Sequence, residues 1–289
     1  MFILLMVPML WGFGYPLIRA SMGEIGAFQF LVYRFGIAFV PLVIVFRRAL
    51  MNLPLSVWRD GAVLGIALSV AYGALNLGLT YTTTVKAGFI MGFRVVLIPM
   101  LALTMLRLPI SGRTWAATLI SAVGVSVIFL STGTDLLAIN RGDAIMLVSA
   151  LGFAGHVLLI GRLLTSDHMW ALIVIQAGVV TVVGALVMGM LEGVTLPQSP
   201  LNWFHLAATG LLSTALALWL QNRYQPMVSS EYAGIIYSAE PLFAGFFGFV
   251  YLGEQLAGTQ WLGALLILAA MVLAQWPELK SVFTADDPC

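Results

Sequence analysis

Four charged side chains stand inside long apolar runs of this sequence, where each costs roughly 2.5–3.5 kcal/mol on insertion scales unless it faces a cavity or a partner. Arg34, Arg94 and Glu240 lie deep within such runs, and Lys86 lies nearer an end, from which its amine can snorkel. Arg94 and Glu240 have opposite sign, and they are expected to meet or to share a ligand. A neighbouring arginine would keep the glutamate ionised, whereas an unpaired glutamate in low dielectric would hold a proton that it could carry. The same two residues also suit a purely structural ion pair, or a carboxylate bound by backbone groups. Pro241 follows Glu240 and denies a helix carbonyl one turn back its usual donor, which either frees that oxygen for a ligand or simply kinks the helix. Pro16 and Pro99 present the same choice.

Other polar groups in the apolar runs extend the candidate set. Trp11, Tyr15, Tyr72, Trp219 and Tyr237 combine an aromatic face with a polar handle, which suits an amphipathic or cationic molecule as well as ordinary packing. Asn76 and Asn222 are suited to hydrogen bonds between helices, with substrate contact as the alternative. His156 carries an imidazole, which titrates near neutrality and could relay a proton or serve as a hydrogen-bonded structural group. The candidate substrate-binding residues are therefore Trp11, Tyr15, Tyr72, Asn76, Arg94, His156, Trp219, Asn222, Tyr237 and Glu240. Trp58, Trp170, Trp203 and Trp276 fall at predicted helix ends and read as interfacial belt residues.

Catalytic and metal chemistry find no support. His168 and His205 fall near helix ends, and no second histidine lies at ligand spacing from His156, so no metal site is expected. HExxH, GxSxG and phosphate-loop motifs are absent, and Asp60, Asp135, Asp143 and Asp167 all lie at helix ends or in loops, where they cannot form an intramembrane aspartyl pair. No catalytic residue and no cofactor is expected, and an intramembrane enzyme is the weaker alternative. A channel is a further alternative, but no repeated filter loop or ring of charge is visible.

The elements that must position these groups are membrane helices. Of 289 residues, 61% are hydrophobic and 9% charged, and the mean hydropathy is +1.02, whereas a soluble domain carries about 25% charged residues. A span needs about 20 apolar residues, and ten such stretches fill the chain, at 2–19, 26–46, 61–79, 85–106, 112–131, 142–164, 169–191, 202–221, 229–252 and 258–276. The first lacks a basic flank and a cleavage site, and is expected to be retained. The longest polar stretch is the loop 47–60, so no soluble domain is expected. Cys289 is the only cysteine and excludes an internal disulfide, and a net charge of +1 gives no reason to expect a nucleic-acid partner.

Charge and repetition set the topology. Alternate loops hold Arg47, Arg48 and Arg59, then Arg107 and Arg113, Arg162, Arg223 and Lys280, whereas the opposite side holds only Arg19, Lys86 and Arg141. By the positive-inside rule both termini are cytoplasmic. An offset of 146 aligns 87–90 with 233–236, Gly112 with Gly258, Trp115 with Trp261, Leu119 with Leu265, Asn76 with Asn222 and Arg94 with Glu240. At an offset of 140, 11–14 resembles 151–154. The chain thus reads as two five-helix repeats, 1–135 and 136–289, within one membrane domain. Because five is odd, the second copy is inverted, an arrangement characteristic of secondary transporters with a central substrate site. Gly61/Gly65 and Gly88/Gly92 are small-xxx-small pairs that let helices pack closely.

Several stretches, read together, resemble a known group. Trp11-Gly12, the run 220–225, the run 238–243, then 252–254 and 260–263, are similar to the EamA-type members of the drug/metabolite transporter superfamily, over nearly the whole chain. The resemblance implies an all-α membrane protein of ten transmembrane helices in a 5+5 inverted repeat with a central cavity. It implies export of small organic metabolites, such as amino acids or drug-like and cationic compounds, across the bacterial inner membrane. The first copy departs from the pattern, because Arg94-Val95 stands where Glu240-Pro241 stands in the second. The expected partners are the lipid bilayer and a small-molecule substrate, with a coupling proton left open, in a monomer or weak homodimer. Alternating access would be secondary active or facilitative, since no nucleotide-binding motif is present.

Overall fold

A computed structural model describes residues 2–82, 84–130, 140–164, 166–253 and 258–284. The boundary expected between 135 and 136 lies outside the described residues, as does Cys289. Within them the chain forms thirteen α-helices: α1 (Phe2–Ser21), α2 (Ala27–Phe46), α3 (Leu55–Leu79), α4 (Thr84–Gly92), α5 (Arg94–Met105), α6 (Gly112–Leu130), α7 (Arg141–Leu163), α8 (Met169–Leu191), α9 (Pro200–Gly210), α10 (Ala217–Tyr224), α11 (Ser230–Tyr237), α12 (Glu240–Leu252) and α13 (Gly258–Thr284). They make ten spans, because α4 continues into α5, α9 into α10, and α11 into α12. Seven spans are long and apolar enough to cross a bilayer by themselves, and the three others contain the shorter apolar helices Ile90–Met105, Gly112–Ile128 and Trp261–Ala274.

Two boundaries differ from the hydropathy reading. The third helix starts at Leu55 instead of 61, behind the extended N-cap Pro54, and only 47–50 of the preceding connection forms a separate 3-10 turn. Hydropathy marks the stretch that lies in hydrocarbon, whereas the helix itself runs on through the polar turn with Trp58, Arg59 and Asp60 until proline ends it. For the same reason α13 continues past 276 to Thr284.

Three spans are interrupted where the pattern predicts continuous helices. The α4–α5 span breaks at Phe93 (φ −66°, ψ −6°), and the α11–α12 span breaks at Ser238 and Ala239 (φ −74°, ψ −9° at Ala239). Phe93 and Ala239 are 146 residues apart in the chain, the repeat offset itself. Each break is therefore inherited by both copies, and the residue that opens the following half-helix is Arg94 in one and Glu240 in the other. The eighth span contains a π-helical segment, Leu211–Leu216, of the single-turn kind that commonly marks functional positions.

Packing follows the repeat. The second spans of the two copies, α2 and α8, lie against each other, as do the fifth spans, α6 and α13. The first span of each copy packs on the broken span of the other: α1 on α12, and α7 on α4 and α5. The backbones come closest at α6 and α13, where a Cβ on Gly124 would stand 2.8 Å from the Gly263 carbonyl oxygen, the close approach that small residues allow between membrane helices. Gly61 and Gly65 do the same for α3 against α8, since a Cβ at either position would meet Ile175 or Val179 at 2.7 and 2.6 Å.

Candidate functional site

Between the two copies lies a cavity with about 300 Å³ of empty volume, its mouth included, lined by Trp11, Tyr15, Ile18, Arg34, Tyr72, Leu75, Met91, Arg94, Phe153 and Glu240. Its walls come from both copies: α1 to α5 from the first, and α7 and α12 from the second. The lining runs from the middle of α1 toward its C-terminal end, and it takes the C-terminal part of α3 and the N-terminal half of α2. The cavity therefore sits at mid-depth and toward the face opposite the chain termini.

The helix breaks place the charges. Arg94 and Glu240, each at the first position of a half-helix, form an ion pair whose side chains are 6% and 7% exposed. The Arg94 Nε donates to the Met91 carbonyl at 2.8 Å, an acceptor in the last turn of α4 that the interruption leaves without a continuing helix. Its guanidinium also lies 5.6 Å from the Trp11 ring centroid and 5.3 Å from that of Phe153, within cation–π range. Tyr15 turns its hydroxyl toward the Glu240 carboxylate. The pair is thus held on several sides, as a buried charge pair requires if its desolvation is to be offset.

Arg34 is the second cation of the cavity and is 2% exposed. Its Nε donates to Thr214 Oγ1 at 2.6 Å, and its Nη2 to the Ser213 carbonyl at 3.1 Å. Both acceptors belong to the π segment, where the i→i+5 pattern disturbs the ordinary ladder, and Thr214 in turn donates to the Thr209 carbonyl five residues back at 3.0 Å. The guanidinium lies 5.0 Å from the Tyr72 ring centroid. Tyr72 is braced edge-on by Phe35 and Phe153 at 5.1 and 4.8 Å. Among the described residues no carboxylate reaches Arg34 within 4 Å. The lining thus carries two guanidinium groups and one carboxylate.

Of the ten residues singled out from the sequence, Trp11, Tyr15, Tyr72, Arg94 and Glu240 line this cavity. The other five lie elsewhere. Tyr237 backs Trp11 edge-on at 5.2 Å and donates to Gln225 Oε1 at 3.2 Å. His156 bonds Gln176 Oε1 at 2.8 Å, and Gln176 Nε2 donates to Asn222 Oδ1 at 3.0 Å. That chain ties α7, α8 and α10 together on the terminal side of the bundle. Asn76 donates to the Ala27 carbonyl at 3.0 Å and so joins α3 to α2. Trp219 stacks on Trp170 at 6.3 Å, and Trp170 in turn on Phe46 at 4.2 Å, so Trp170 sits within an aromatic stack.

Arg34 was identifiable by its depth alone but had no mark in the repeat, whereas Ile18, Leu75, Met91 and Phe153 carry no signal that separates them from packing residues. The π segment likewise has no proline or unusual spacing to announce it.

Comparison with known proteins agrees with this architecture. A solved crystal structure superposes over 95% of this chain and 96% of its own with a TM-score of 0.77 at 15% identity, which shows the shared fold. A protein of Archaeoglobus fulgidus named as an uncharacterized transporter is 30% identical over 276 residues, 93% of this chain and 83% of its own length. A permease-like protein of Bacillus subtilis is 36% identical over 73 residues, 25% of this chain and 94% of its own length. The profile of the EamA-like transporter family matches twice, over residues 1–130 and 140–276, one match for each five-span copy. A duplicated ten-span bundle, a cavity between its copies and these sequence matches together place the chain in the EamA-like transporter family, to which it belongs.

Proposed function

We propose that this membrane transporter exports a small organic metabolite by alternating access, with the cavity around Arg94 and Glu240 as the substrate site. The observation that carries the reading is the coincidence of the two helix breaks with the two opposite charges at equivalent repeat positions. Discontinuous helices meeting near the midplane at a repeat interface are where transporters of this construction bind substrate. Rocking one copy against the other would expose the site to each face in turn, and the chain needs no nucleotide chemistry to do so. In this reading the basic loops face the cytoplasm with both termini, and the protein resides in the bacterial inner membrane. A coupling proton is part of the proposal only insofar as Glu240 releases Arg94 during the cycle.

The test is counterflow in proteoliposomes made with the full chain. Saturable flux that an unlabelled competitor inhibits supports a transporter, and non-saturating conductance would replace it with a channel. Intramembrane catalysis would be recognised by turnover of a solute without its translocation.

A further inference from the structure

We infer that the cavity selects solutes bearing a single carboxylate, received by Arg34, and excludes cations of the same size. The inference rests on the transporter reading above and names the substrate class of that site.

The charge balance carries it. Arg94 and Glu240 neutralise one another, so the lining retains the charge of Arg34, whose partners are a threonine hydroxyl, a serine carbonyl and a tyrosine ring. The hydrogen-bond partners of this guanidinium are neutral and Glu240, engaged by Arg94, acts on it only at longer range, so it has a desolvation cost that an incoming anion can offset. The side edge of the Arg34 fork is fastened to the π segment, and the Tyr72 hydroxyl stands beside the guanidinium, where an incoming carboxylate would share or displace it. A planar fork held in this way is pre-organised for a carboxylate, because less rotamer freedom is lost when the second set of bonds forms.

The rest of the lining fits the remainder of such a molecule. Tyr15 and Tyr72 supply hydroxyls beside the charge, and Ile18, Leu75, Met91 and Phe153 supply an apolar wall. A cation would meet two guanidinium groups and a carboxylate that Arg94 already engages. Of the solute classes the resemblance implies, amino acids carry a carboxylate of the kind this arrangement receives, and cationic compounds without one do not fit it.

Benzoate, benzamide and benzamidine share one shape and differ in charge, and they are the probes. The full-length protein in detergent is melted with increasing concentrations of each. Benzoate is expected to raise the melting temperature saturably, since a ligand that binds only the folded form stabilises it, with benzamide weaker and benzamidine without effect. Arg34→Gln should weaken benzoate by about thirty-fold or more, the loss expected when one member of a buried charge pair is removed. Arg34→Lys should retain part of the affinity. Should Arg34→Gln fail to fold, the order of the three probes on the unaltered protein and the behaviour of Arg34→Lys still decide the matter. Protection by benzamidine ahead of benzoate, benzoate protection that survives Arg34→Gln, or no protection by any probe overturns the inference. Saturable counterflow of a neutral or cationic solute with benzoate inert would overturn it and keep the transporter reading. Absence of saturable flux for every solute would instead overturn the transporter reading.

Discussion

Arg34 and Gln176 are the eighth residues of α2 and α8, the second spans of the two copies, and their surroundings differ in kind. Gln176 is the centre of a neutral chain in which His156, the amide and Asn222 each satisfy the next. Arg34 reaches away to the π segment. Asn76, the repeat equivalent of Asn222, consequently keeps an Oδ1 without a partner among the described residues. Around Gln176 the helices are closed by their own hydrogen bonds, whereas around Arg34 they leave a cavity. Gln176 has both its amide groups matched in a closed site, whereas Arg34, fastened to the π segment, also lines open volume. On the alternating-access proposal these two environments would exchange between open and closed, and their unequal chemistry would then favour one state over the other.

The largest effect is expected at the buried ion pair that shares the cavity with Arg34. Glu240→Gln leaves Arg94 buried beside a neutral amide and should destabilise the protein by about 3–5 kcal/mol, measured by denaturant melts in detergent. The double variant Arg94→Gln with Glu240→Gln should recover most of that loss, and a double variant no better than the single would show that the pair is not the unit. Gln176→Leu should cost about 1–3 kcal/mol, because it removes the partner of both His156 and Asn222 in a closed site. Arg34→Gln should cost less, about 1 kcal/mol, since it gives up hydrogen bonds to neutral acceptors together with a charge that is costly to bury. A larger stability loss at Arg34 than at Gln176 would contradict the distinction drawn between the two regions.

The smallest effect concerns Glu24, which follows α1 and holds the start of α9. Glu24 accepts hydrogen bonds from the Gln198 and Ser199 amides and from the Asn202 side chain. The Ser199 amide foremost, then Gln198 and Asn202, hold its carboxylate below the ordinary glutamate range against partial desolvation. With the folded value depressed, its contribution is present above the unfolded value, near 4.5, and is lost as pH falls through the lowered folded value. The protection factors of the Gln198 and Ser199 amides, each exchange rate taken relative to the intrinsic rate at the same pH, should therefore be high at neutral pH and fall on acidification. Glu24→Ala should be unprotected throughout, with the cavity-binding affinity unchanged.

The parts of this architecture that were legible in the sequence are those that obey periodicity or cost energy. Ten apolar stretches and a buried arginine and glutamate at one repeat offset are visible because hydrocarbon tolerates neither short spans nor stray charges. The helix break before Glu240 had a partial signal in Pro241, but its counterpart before Arg94 has none, since Phe93 alone does not interrupt a helix. His156 and Asn222 look as reactive in the sequence as Tyr72 does. Only the fold reveals that the first two satisfy each other through Gln176, while Tyr72 faces free volume. Polar residues in a membrane helix announce that they need partners, and the partners are decided by packing between distant spans.

The opposite signs of Arg94 and Glu240 also bear on how the duplicated gene can be divided. Two first copies assembled on the same axis would bring arginine against arginine, and two second copies glutamate against glutamate, each a repulsion in low dielectric. Neither half is able to replace the other. Fragments separated between 130 and 140 should assemble when expressed together and fail when either is expressed alone, as a lock fails against a second lock.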